Sequence, residues 1–170
     1  MPDLKDLIPQ PPWEGPPIPK IIAKSLKRGL YREELIRRRI RKPRVMYHIT
    51  TWEVWESAQK EGLKPRILRP ELQKLTGLQR GLYLTTAEEE TFMYVFAIGG
   101  AELDTRPELK VAKLSVLGIV VPAGTTLVED PEVSAASPED IVSWIVDITI
   151  PPENIKLSYI EELTREEWEG

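Results

Sequence analysis

Histidine occurs once in the 170 residues, at position 48, where the apolar run Val45-Met46 ends in Tyr47-His48-Ile49-Thr50-Thr51. An imidazole presents a hydrogen-bond donor and an acceptor. A second stretch, Gly81-Leu82-Tyr83-Leu84-Thr85-Thr86, repeats the design of the first: a brief β-type segment, paired threonines, then a helical pattern. The two stretches are read together as walls of one cleft. The plainer readings are a half-buried strand histidine and a tyrosine that fills the core.

The elements that must position this pair follow in order. A strand from Val45 to Ile49 delivers His48, and Thr50-Thr51-Trp52-Glu53 fits a capping box for a helix from Trp52 to Lys60 that Gly62 stops. A short helix opens at Pro70 and ends at Gly77, so that residues 64–80 form a long basic crossing loop. Strand Gly81–Leu84 leads through a Thr85 cap to a helix from Ala87 to Ile98, with Gly99-Gly100 as its terminator. A β-rich half follows: Leu109 to Leu117, Ile119 to Val121, a turn at Pro122-Ala123-Gly124, Thr125 to Val128, Val142 to Ile150 and Ile155 to Ile160. Ser137-Pro138-Glu139-Asp140 opens a short helical turn, and the tail from Thr164 to Gly170 makes one more.

Composition bounds the function. Without cysteine there is neither disulfide nor thiolate chemistry, and a single histidine rules out a His-based metal cluster, leaving only a carboxylate site that nothing in the chain points to. No apolar run is long enough to span a bilayer, and the first residues lack the pattern of a secretory signal. The expected location is therefore cytoplasmic, in a host cell or virion if the source is a virus. Sixteen prolines and abundant Glu, Lys and Arg would suit a hot environment.

The net charge of −4 hides a division: residues 1–45 carry 12 Lys/Arg against 5 Asp/Glu, a balance of +7, whereas residues 46–170 carry 11 against 22, a balance of −11. Residues 1–19 form a Pro-rich extended arm around Trp13, which either wraps its own domain or docks on a partner. Residues 20–43 read as a basic helical segment running from Pro19 or Lys20 to Arg41, with Arg28, Arg37, Arg38, Arg39 and Arg41 on its polar side. That face either braces the acidic domain of the same chain or contacts nucleic acid.

Taken in order, Tyr47-His48-Ile49-Thr50, Glu61-Gly62-Leu63-Lys64-Pro65, Gly81-Leu82-Tyr83-Leu84-Thr85-Thr86 and Ile150-Pro151-Pro152-Glu153-Asn154-Ile155 resemble the motifs of the ADP-ribosyltransferase superfamily. The likeness is nearest to the enzymes that modify DNA bases and to tRNA 2'-phosphotransferases, and it covers roughly residues 44–160, within a domain of residues 44–162 that is followed by a tail of residues 163–170. The resemblance implies an α+β fold with two small, mainly antiparallel sheets around a cleft, and NAD as the cofactor. It implies that His48 holds the ribose beside the nicotinamide and that Tyr83 stacks on the nicotinamide ring. Thr50, Thr51 and Thr85 would support polar groups of the cofactor near the following helix starts. Many members also carry a late-strand glutamate that stabilises the developing sugar cation. Here that strand reads Ile141-Val142-Ser143-Trp144-Ile145-Val146-Asp147. Glu139 is the nominee for the catalytic carboxylate, with Asp140, Glu129 and Glu132 nearby in sequence.

Two functions follow. The first is an ADP-ribosyltransferase acting on a macromolecular acceptor, nucleic acid or protein. The second is a degenerate fold serving as a structural or assembly module of a virion or nucleoprotein, docked by residues 1–43. The His/Tyr pair favours the first and the missing glutamate favours the second.

Overall fold

Eight antiparallel strands and four α-helices make up the structure, a computed structural model that describes residues 35–133 and 138–170. The fold class is α+β. The strands are β1 (Arg37–Arg39), β2 (Arg44–Thr51), β3 (Arg66–Ile67), β4 (Arg80–Thr85), β5 (Val111–Val121), β6 (Thr126–Glu129), β7 (Ser143–Val146) and β8 (Ile155–Thr164). The helices are α1 (Trp52–Glu61), α2 (Pro70–Thr76), α3 (Val95–Thr105) and α4 (Arg165–Glu169). Instead of two separate sheets, the strands form one, in the order β1-β6-β7-β4-β2-β5-β8, with β3 added on β4. The centre of that sheet is thin. Strands β2 and β5 pair along eight residues, from Arg44↔Val121 to Thr51↔Leu114, but β2 and β4 pair only at Tyr47↔Thr85. Beyond that pair the two strands part, which opens a cleft inside a continuous sheet.

Strand β5 shows why both faces of the sheet need cover. Ala112, Leu114 and Val116 bury one face with Val95 and Leu103 of α3 and Leu163 of β8, whereas Leu117, Ile119 and Val121 bury the opposite face with Met46, Leu84 and Trp144. Side chains alternate along a strand, so each half of β5 presents a different face to its core. Helix α1 closes the second core through Ala58, with Val54 and Trp55 packed beside it. The Thr51 side chain caps α1 by accepting from Val54 N at 3.4 Å, as expected of a threonine there. The reciprocal half of the capping box is replaced: Glu53 takes the Arg106 guanidinium at 2.7 Å instead.

Three expectations are corrected by packing. The basic segment does not end as a helix. Arg37–Arg39 is an edge strand paired with β6 from Arg37↔Val128 to Arg39↔Thr126. On the edge strand Arg37 Nη2 donates to Thr76 O at 2.6 Å and Arg38 lies over the Trp144 ring at 5.4 Å, while Ile36 and Ile40 reach the core, contacts that favour the strand. Arg28 and the Pro-rich arm lie outside the described residues. Gly99-Gly100 does not stop a helix. The segment after β4 is a 3-10 helix, Glu88–Tyr94, that continues as α3 straight through both glycines. They are needed there for close approach, because a Cβ at Gly100 would meet the Trp168 ring at 2.6 Å and one at Gly99 would meet Leu163 at 3.0 Å. Arg165 braces the end of α3 and the turn after it: its Nη2 donates to Leu103 O and Arg106 O and its Nε donates to Leu109 O. The long late strand, expected from Val142 to Ile150, is only Ser143–Val146, after which Ile150 forms an isolated bridge with Leu63. Among the described residues no helix is long and apolar enough to cross a membrane.

Candidate functional site

Where β2 and β4 separate, a side chain takes over from the backbone ladder. His48 Nδ1 lies 2.8 Å from Tyr83 O. A carbonyl can only accept, so Nδ1 carries the proton and Nε2 is left as an acceptor. Burial, with the Arg66 charge as a smaller contribution, holds the His48 pKa below its usual value, against the opposing pull of the bond to Tyr83 O. At neutral pH the ring is therefore uncharged, with its second nitrogen ready to take a hydroxyl proton into a hydrogen bond.

His48 and Tyr83 line one cavity of about 940 Å³. Thr50, Thr51 and Thr85 line it too, so the cavity brings together all five residues expected to hold a cofactor. Its walls are β2, the start of α1, the loop through Lys64, Arg66 and Arg69, β4, and Tyr94 with Ile98. Tyr83 is neither wholly core nor wholly exposed. Its ring packs on the cluster of Leu68, Leu72 and Ile145 and still lines the cavity. Because Gly81 precedes it on the strand and a Cβ there would fall 2.3 Å from Ile145, only glycine lets β4 lie this close to β7.

The carboxylates are distributed differently from the sequence expectation. Glu139 is exposed in a 3-10 turn, Pro138–Asp140, and is not among the residues that line the cavity. Glu132, by contrast, lines it and pairs with Arg69 across its rim. Behind it sits Asp130, 1% exposed, which no motif in the sequence singles out. Its Oδ2 accepts from Ser143 Oγ at 2.8 Å and from Tyr94 Oη at 3.2 Å and its Oδ1 accepts from Glu132 N at 2.9 Å, while the two hydroxyl oxygens lie close enough to share one of their protons between Asp130 and each other. Tyr94 was missed as well, since one tyrosine in an apolar helical pattern reads as core. The network fixes its ring in the cavity wall, with burial as the main cause of a phenol pKa pushed well above its usual value.

Burial raises the Asp130 pKa in spite of the two hydroxyl donors, which lower it. The sign of the pH effect follows. Between the ordinary carboxylate value and the raised one, the folded protein holds a proton that the unfolded chain has released, so stability falls as pH rises through that window and is flat above it. Asp130→Asn lacks this dependence. In urea titrations at a series of pH values, the wild type should gain stability relative to Asp130→Asn as the pH is lowered from neutrality towards about 4, near the unfolded carboxylate value. A constant difference between the two proteins would show that Asp130 keeps an ordinary pKa.

Of the arginines expected at a nucleic-acid face, Arg37 and Arg38 are engaged as described above, and Arg39 and Arg41 are exposed at the same edge of the sheet. They stand on β1 and just beyond it, across β6 and β7 from β4. No group of three or more His, Asp or Glu side chains is arranged to hold a metal among the described residues. Compared with models of known protein families and with curated proteins, the chain matches none.

Proposed function

We propose that the cavity binds NAD and that the chain transfers ADP-ribose from it to a macromolecular acceptor, on an ADP-ribosyltransferase-like fold. The observation that carries this reading is the single histidine, fixed by Tyr83 O at the parting of β2 and β4 with Nε2 left as an acceptor in the cavity that Tyr83 lines. The residues present fit the dinucleotide. The volume lies in the range of small-molecule sites, and Lys64, Arg66 and Arg69 on one wall suit a pyrophosphate. His48 accepts from a ribose hydroxyl, and Tyr83 presents a ring face to the cationic nicotinamide. Thr51 and the first amides of α1 lie beside His48 on the same wall. In place of Glu139, the carboxylates that line the cavity are Glu53, Glu61 and Glu132; releasing the pair of Glu132 with Arg69 would free negative charge to face a developing sugar cation.

The second reading, a binding or assembly module docked through residues 1–43, is favoured by one observation. Strand β7, where relatives of the proposed fold place a glutamate, is wholly buried and carries no carboxylate. Labelled NAD, incubated with the full chain and with DNA, RNA and protein acceptors, separates the two. Tyr83→Ala should bind NAD about three- to thirty-fold more weakly, the value of one cation–ring contact, while keeping the carbonyl that orients His48. Tyr83→Phe should bind like the wild type. Absence of NAD binding at millimolar concentration leaves the assembly reading.

A further inference from the structure

The helix that walls the cavity buries only one of its faces. Val95, Gly99 and Leu103 face the core, whereas Phe92, Met93 and Phe96 are 59%, 40% and 47% exposed, with Ala97 exposed beside them. Phe92 and Met93 stand at the end of the 3-10 helix and Phe96 and Ala97 at the start of α3, so four exposed apolar side chains fall within six consecutive residues. Large apolar groups gathered on a surface mark a place where something binds. The charge around them defines the partner. Glu88, Glu89 and Glu90 lead directly into the patch, and no lysine or arginine follows until Arg106, which answers Glu102, so the field beside Phe92 and Met93 repels phosphate and attracts cationic side chains. Tyr94 and Ile98, from the same segment, line the cavity.

We infer that the face of Phe92, Met93 and Phe96 is a docking surface for a protein segment in which apolar anchors alternate with Lys and Arg, and that it presents this segment at the mouth of the cavity. Its role as the acceptor's docking site rests on the NAD reading; the surface itself does not. Apolar side chains of the partner cover Phe92 and Phe96, and its cations pair with Glu88, Glu89 and Glu90. The macromolecular acceptor is then a protein with a basic segment and not a nucleic acid.

The test uses the full chain and a fluorescently labelled synthetic peptide with Trp and Leu set among Lys and Arg, read by anisotropy. An acidic peptide of the same apolar pattern and a single-stranded oligonucleotide serve as competing probes. The basic peptide should bind, weaken at least about tenfold in Phe92→Ser/Phe96→Ser, and weaken similarly in Glu89→Lys/Glu90→Lys, while neither competitor displaces it. None of these four side chains belongs to the buried core, so the urea midpoints of the variants should match the wild type, which checks that they fold whatever the cavity binds. No peptide binding, equal binding by the variants, or displacement by the oligonucleotide overturns the proposal. Failure of NAD binding alongside intact peptide binding overturns only the reading of the cavity.

Discussion

Gly62→Ala should lower the stability of the fold by about 3 kcal/mol or more, seen as a large drop in the urea midpoint with little change in slope. The magnitude has two sources. Gly62 ends α1 at φ 78°, in the left-handed region that an alanine enters only with strain. A Cβ there would also lie 2.2 Å from Ile150 O, which is backbone and cannot swing aside. That oxygen accepts from Leu63 N at 2.9 Å, and Ile150 N donates to Leu63 O at 2.8 Å, so relieving the clash breaks a two-bond bridge. The bridge matters to the site because Gly62 and Leu63 line the cavity and the bridged residues lead directly into Lys64 and Arg66. NAD binding by Gly62→Ala should therefore weaken as well, through displacement of the basic loop. An alanine variant with wild-type stability would mean that the α1 end and the Ile150 segment do not meet as described.

The sequence exposes what local rules control. The glycines at 62 and 77 were legible as helix ends, and both have positive φ, because ending a helix and turning sharply is a local demand that glycine answers. The α1 and α2 boundaries and the 48/83 juxtaposition follow from similarly local signals: threonine, proline and short apolar runs. What was not legible depends on distant partners. Gly99-Gly100 looks like a terminator unless one knows that Leu163 and Trp168, more than sixty residues on, press against them. Arg37–Arg39 looks like the end of a basic helix unless one knows that the edge of β6 lies open for it. Asp130 shows the same limit at the site. An aspartate before a proline is an ordinary turn signal, and only the fold sets Ser143 and Tyr94 around it. The late-strand carboxylate was sought by sequence position, whereas the cavity takes Glu132 from the turn after β6.

His48→Ala should weaken NAD binding at least about tenfold, and it should also change how stability responds to pH. The two effects have different origins, so together they separate a ligand-holding histidine from a merely structural one. For stability, burial lowers the folded-state pKa below the ordinary value of 6.5. As pH falls from there towards the lowered value, the unfolded chain takes up a proton that the folded protein refuses, so the wild type loses stability on acidification and keeps it fully above about 6.5. His48→Ala has no such slope in that window, though it begins lower at neutral pH, because Tyr83 O loses its donor at a cost of about 1–3 kcal/mol. For the ligand, protonation turns Nε2 from an acceptor into a donor and sets a positive charge beside a cationic nicotinamide. Calorimetric titrations of NAD from neutral to mildly acidic pH should show wild-type affinity flat and then falling below the lowered pKa, whereas the weak residual affinity of His48→Ala stays level. If the variant matched the wild type in affinity while losing only the stability slope, the imidazole would be a brace between two strands and the cavity would be left without the group that marks it as a nucleotide site.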